Sequence, residues 1–158
     1  MQVATHSAFA AASNEQRRRN ETVGEPSTEV KDLMTRFYEA ASKGDFELVD
    51  ELISRRARVL WIGTDPNEWW ENPEAVFKAW QAQTAELGGP APITGGNVTA
   101  CQHGEVAWVS DRPAFHLPDG RSLPLRLTAV WVREPEGWRM VQVHISLGVG
   151  NESVLQPS

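Results

Sequence analysis

Hydrophobic positions recur with helical spacing in the first half of this chain and with period two in the second. Val30, Leu33, Met34, Phe37, Tyr38 and Ala41 form one apolar stripe, which predicts a helix over residues 27–42. Ser27 or Thr28 can cap its start, and Lys43-Gly44-Asp45 stops it and starts a second helix. That helix is expected over 45–53, with Phe46, Val49, Leu52 and Ile53 inward. Residues 57–63 read as a strand, and the following stretch through Trp70 reads as a loop. Asn72-Pro73 then opens a third helix, with Asn as cap and Pro at the first helical position. It runs to Leu87, burying Val76, Phe77, Trp80, Thr84 and Leu87, and Gly88-Gly89-Pro90 ends it.

The remainder reads as β, with strands over 93–102, 106–117, 122–133 and 138–147. Pro118-Asp119-Gly120 and Glu134-Pro135-Glu136-Gly137 are turn sequences, so the last three strands form a meander. Pro113 and Pro124 remove ladder donors and mark bends or strand ends. The last strand is the most informative. With period two, one face carries Trp138, Met140, Gln142, His144 and Ser146. The other carries Arg139, Val141, Val143, Ile145 and Leu147. Apolar residues on both faces predict a strand enclosed on both sides, where His144 and Ser146 need partners.

Composition bounds these readings. A chain of 158 residues, 41% hydrophobic and 23% charged, fits one globular domain. Its expected parts are an N-terminal tail over 1–26, the domain over 27–150 and a C-terminal tail over 151–158. A net charge of −6 argues against nucleic acid and against anionic membrane surfaces. No stretch approaches the roughly 20 apolar residues of a membrane span. The Ala-rich start, Val3 to Ser13, lacks the leading charge and apolar centre of a signal peptide. Cys101 is the sole cysteine, which fits a reducing compartment, so a cytoplasmic location is expected. Seven tryptophans against one tyrosine suggest a lined cavity or a broad interface, with a plain core as the simpler alternative.

Helix–helix–strand–helix–four strands resembles the nuclear transport factor 2-like superfamily. Particular segments are similar to its SnoaL-like branch: Phe37-Tyr38-Glu39-Ala40-Ala41-Ser42-Lys43-Gly44-Asp45, Ile62-Gly63-Thr64-Asp65-Pro66 and Glu68-Trp69-Trp70. Val106-Ala107-Trp108-Val109-Ser110, Arg126-Leu127-Thr128, and Gly137-Trp138-Arg139 running into His144-Ile145-Ser146 extend the likeness over residues 28–150. The resemblance implies an α+β fold, a cone-shaped curved antiparallel sheet wrapped on three helices. It also implies an interior cavity at the wide end and a homodimer through the sheet. It implies no single chemistry, since such folds serve cyclases, isomerases, dehydratases, an epoxide hydrolase and non-enzymatic association domains.

If Val132 faces Trp138 across the final turn, Arg126 faces His144 and Thr128 faces Gln142. Arg126, Thr128, Gln142, His144 and Ser146 would then form one inward polar cluster, able to hold a carboxylate, enolate or carbonyl. His144 beside Arg126 would favour its neutral form and could act as a base. The plainer alternative is a structural network closing the cone. Asp65, Glu68, Trp69 and Trp70 form a second candidate group, a carboxylate beside a ligand wall; alternatively Asp65-Pro66 simply makes a turn. Trp61 and Trp108 lie in strands and line the cavity or fill the core. Asp111 and His116 occupy one predicted strand, with their facing obscured by Pro113. The histidines lack metal-ligand spacing and no phosphate loop occurs, so neither metal nor cofactor is expected.

These readings lead to a small-molecule-binding domain with a Trp-lined cavity, taking an apolar or aromatic ligand that bears an acid or carbonyl. The alternatives are a cofactor-free isomerase, cyclase or dehydratase using His144 and Arg126, and a non-catalytic association module.

Overall fold

The computed structural model describes residues 24–155, apart from the side chain of Val154. Most of the expected N-terminal tail and the last three residues of the C-terminal tail lie outside the described residues, as does the Val3 to Ser13 segment. Gly24 belongs to the described chain, and Glu25–Pro26 form a short strand, β1.

Helix α1 spans Thr28–Lys43. The Ser27 side chain accepts from the Val30 N–H, and Gly44, at φ 70°, closes the far end. Asp45 caps α2, Phe46–Leu52. Strands β2, Leu60–Ile62, and β3, Trp69–Trp70, flank the loop before α3, Pro73–Glu86, which Asn72 caps. The β half comprises β4 (Ile93–Thr94), β5 (Thr99–His103), β6 (Val106–Asp111), β7 (Ala114–His116), β8 (Ser122–Glu134) and β9 (Gly137–Leu147). A five-residue helix, α4, covers Asn151–Leu155, where a plain polar tail is expected from sequence.

The main sheet runs β1-β5-β6-β8-β9-β2-β3, with β7 pairing β8 and β4. It is curved, unclosed and mixed, because β2 pairs β9 in parallel. The helices pack on its inner face. Val30, Met34, Phe37, Val49, Trp61, Val109, Trp131, Trp138, Met140 and Val143 are all buried there.

Two expected strands are each divided. The 93–102 strand breaks at Gly95-Gly96, where a Cβ on Gly96 would come within 2.4 Å of the Arg112 carbonyl oxygen. The 106–117 strand breaks at Arg112-Pro113, where Pro has no N–H to donate. Pro124, by contrast, lies inside β8. There β8 pairs only with β7, because β9 ends at Leu147 opposite Leu125. Trp69-Trp70, expected as loop, pairs with β2.

The decisive local feature lies between β8 and β9. Glu134 pairs with Gly137, placing Arg133 opposite Trp138, and the register shifts again between Val130 and Trp131. Trp131 pairs with Met140 and Val130 with Gln142, so Val141 is an extra residue without a partner. This bulge inverts the alternation of β9. Trp138 and Met140 are buried before it; Val143 is buried and Ile145 half-buried after it, while Gln142 and His144 are exposed.

Inserting an alanine after Gln142 should return His144 and Ser146 to the inner face and turn Val143 and Ile145 outward, whereas deleting Val141 would remove the bulge and leave these faces as they are. Burial of such aliphatic side chains contributes about 1.5–3 kcal/mol each. The insertion is therefore expected to lower the free energy of unfolding by about 3 kcal/mol or more in urea titration. An unchanged midpoint would show that the facing of β9 beyond Gln142 is not fixed by its pairing with β8.

Candidate functional site

A cavity of about 330 Å³ lies between the inner face of the sheet and helices α1 and α3. Its aromatic wall comes from α1 (Phe37, Tyr38), β2 and β3 (Trp61, Trp70), α3 (Trp80) and β7 (Phe115). Leu123, Leu125 and Leu127 of β8, with Ile145 and Leu147 of β9, supply the aliphatic wall. The rings form a connected set. Trp61 and Trp80 meet edge to face at 5.2 Å, and Phe37 stacks on Trp80 at 5.8 Å between centroids.

The residues singled out from sequence are divided between the cavity and the outer face of the sheet. Trp61, Glu68 and Trp70 line the cavity. Trp69 does not; it is 56% exposed because the short β3 alternates its two indoles. Trp108 is 39% exposed on the outer face of β6, where Gly24 lies so close that an added Cβ would meet the indole at 2.7 Å. Arg126, Thr128, Gln142, His144 and Ser146 do share one face, but it is the outer one. Arg126 pairs with Ser146 and Thr128 with His144, two residues from the expected register. The hairpin turn accounts for one residue and the Val141 bulge for the other. Arg126 donates to the Leu147 carbonyl at 3.1 Å, and none of the five lines the cavity.

The loop before β3 explains both of its carboxylates. Asp65 Oδ1 accepts from the Asn67 backbone N–H at 2.8 Å, closing an exposed turn. Glu68 Oε2 accepts from the Asp65 backbone N–H at 3.0 Å, which holds the half-buried Glu68 carboxylate at the cavity.

A polar pair lies beside the cavity. Tyr38, on the cavity-lining face of α1, donates its hydroxyl to Asp111 Oδ2 at 3.0 Å, and the Gly96 N–H donates to the same oxygen at 3.0 Å. Both residues are buried. Alternation in β6 puts Asp111 on the inner face with Ala107 and Val109, a signal that could have located it: an inward carboxylate requires a donor, and Tyr38 is the only tyrosine. Two buried polar atoms lack a protein partner among the described residues, Asp111 Oδ1 and Trp131 Nε1. His116 is half-buried at the β4–β7 edge, its Nε2 2.8 Å from Thr94 Oγ1. No cluster of three or more potential metal ligands occurs among the described residues.

The model of the SnoaL-like domain matches residues 30–150, and the chain belongs to that family. Solved structures of the nuclear transport factor 2-like type share the fold. An NTF2-like protein of unknown function from Pseudomonas putida KT2440 is 17% identical, with a TM-score of 0.72 over 84% of this chain and 100% of that one. A presumed dehydratase of the NTF2-like family from Streptomyces avermitilis is 20% identical, with a TM-score of 0.66 over 77% and 95%. A presumed ketosteroid isomerase from Parabacteroides distasonis ATCC 8503 is 20% identical, with a TM-score of 0.62 over 82% and 93%. At these identities the likeness shows the fold alone. None of the curated proteins matches the chain.

Burial is the main reason the Tyr38 hydroxyl holds its proton far above the ordinary pKa of 10.0; the Asp111 charge and hydrogen bond add to it. The unfolded chain releases this proton near pH 10, so the stability linked to it is fully present below that pH and falls as pH rises above it. The folded protein should show no phenolate absorbance at about pH 11, where a free tyrosine is mostly ionised. Phenolate should appear only as near-ultraviolet circular dichroism is lost. Ionisation of the folded protein with an ordinary midpoint would disprove the buried pair.

Proposed function

We propose that this protein binds a small, largely apolar molecule in the cone cavity. The observation carrying this reading is the cavity itself: about 330 Å³, walled by aromatic and aliphatic side chains, with few polar groups. Such dimensions and lining are those of small-molecule sites. Trp61 and Trp70 are the proposed ligand-contacting indoles from the expected set, joined by Trp80, and Glu68 is the proposed polar contact. Proton-transfer catalysis by His144 and Arg126 draws no support from their place on the outer face.

The neutral dye N-phenyl-1-naphthylamine should brighten on binding the wild-type protein. Replacing the half-buried Ile145 by Trp should fill the cavity and abolish that signal, with the thermal midpoint kept within a few degrees. A dye that ignores the wild-type protein, or binds both forms equally, would refute an accessible cavity.

The outer sheet face supports a homodimer as its further partner. Val106 and Trp108, 44% and 39% exposed, lie in register with the half-buried Val132 and Val130. These neighbours form an apolar strip of the kind that marks interfaces. Sedimentation at micromolar concentration should give a dimer for the wild type and a monomer for the Val106→Lys/Trp108→Glu variant. A wild-type monomer would overturn the assignment.

A further inference from the structure

The cavity has a marked charge bias. Among the described residues that line it the only charged ones are Glu68 and Glu86; none is Lys, Arg or His. Neither carboxylate takes part in an ion pair among the described residues, although six such pairs occur elsewhere on the molecule. Glu68 is half-buried, and only one of its oxygens has a protein donor, the Asp65 N–H. The same cavity is lined by the connected rings of Phe37, Trp61 and Trp80, and by Trp70. Aromatic faces carry negative potential and attract cations, indole most strongly. An anionic ligand would meet two like charges and no counter-charge among the described residues. A cationic one would meet indole faces and two uncompensated carboxylates.

We infer that the ligand is an organic cation: an amine or quaternary ammonium on an apolar, ring-containing body. This rests on the cavity being a ligand site and names the ligand's chemical class. It also replaces the acid- or carbonyl-bearing ligand expected from sequence. That expectation required Arg126 and His144 to point inward, and they stand on the opposite face of the sheet.

Calorimetric titration of the full chain with three ligands of one shape tests the inference: 2-(1-naphthyl)ethylamine, 2-(1-naphthyl)ethanol and 3-(1-naphthyl)propanoate. The amine should bind about tenfold or more tightly than the alcohol, with the carboxylate weakest. Raising salt from about 0.05 M to about 0.5 M should narrow the amine's advantage, since Glu86 is exposed to solvent. Glu86→Gln and the double variant Glu68→Gln/Glu86→Gln should stepwise bring the amine-to-alcohol ratio towards one. If Glu68→Gln fails to fold, Glu86→Gln alone decides, because the exposed Glu86 side chain makes no hydrogen bond or ion pair among the described residues. Equal binding of amine and alcohol, or tighter binding of the carboxylate, would overturn the cation assignment and leave the cavity reading intact. Failure of all three ligands to bind would overturn both.

Discussion

The two long strands β8 and β9 must be paired in a way that puts Val143 and Ile145 inside and Gln142 and His144 outside, and the unpaired Val141 makes this possible. Side chains alternate strictly along a regular strand, so the inner face of β9 could not otherwise contain Trp138 and Met140 together with Val143 and Ile145. The bulge lets one strand serve two parts of the molecule. Its first half closes the core with Trp138 and Met140; its second half gives the cavity an aliphatic wall. Leu60–Ile62 then docks in parallel against Gln142, Val143 and His144, bringing Trp61 to the inner face. The aromatic wall thus depends on the bulge as much as the aliphatic wall does.

The tryptophans divide by place. Trp131 and Trp138 are fully buried in the core, Trp61, Trp70 and Trp80 meet the cavity, and Trp69 and Trp108 face outward. Cavity-lining and core-filling, alternatives when only composition is considered, are both realised. Helix α3 shows why space remains beneath it. Val76 is its only fully buried residue, while Phe77 and Trp80 are half-buried. Trp80 lines the cavity, and its exposed surface is what the proposed ligand would cover, at about 25 cal/mol per Å² of apolar area removed from water.

Beside that apolar space, Tyr38 and Asp111 tie α1 to the end of β6. A carboxylate in such surroundings is costly unless it is hydrogen-bonded, and the Tyr38 hydroxyl and Gly96 N–H both serve Oδ2. The chain can pass this close only because residue 96 lacks a side chain: a Cβ there would meet Asp111 Oδ1 at 3.0 Å. Gly95-Gly96 is therefore a packing feature linked to the polar pair, and it also divides β4 from β5.

Local physics was legible in the residue order. Ser27, Gly44, Asp45 and Asn72-Pro73 mark helix ends because capping bonds reach only a few residues along the chain. The apolar stripe of α1 appears in the structure at Val30, Met34, Phe37 and Tyr38. The SnoaL-like resemblance, carried by short segments on these elements, was likewise readable. The faces of β9 were not. A bulge arises from pairing between strands, and neither strand alone shows where register will slip. The same holds for Asp111, whose partner lies 73 positions away, and for the cavity's charge, which depends on Glu68 and Glu86 converging from separate elements. Sequence determined the helices, the turns and the family, because these follow from short-range spacing. Tertiary structure alone decided which polar residues face the cavity, because one unpaired residue reverses every side chain beyond it.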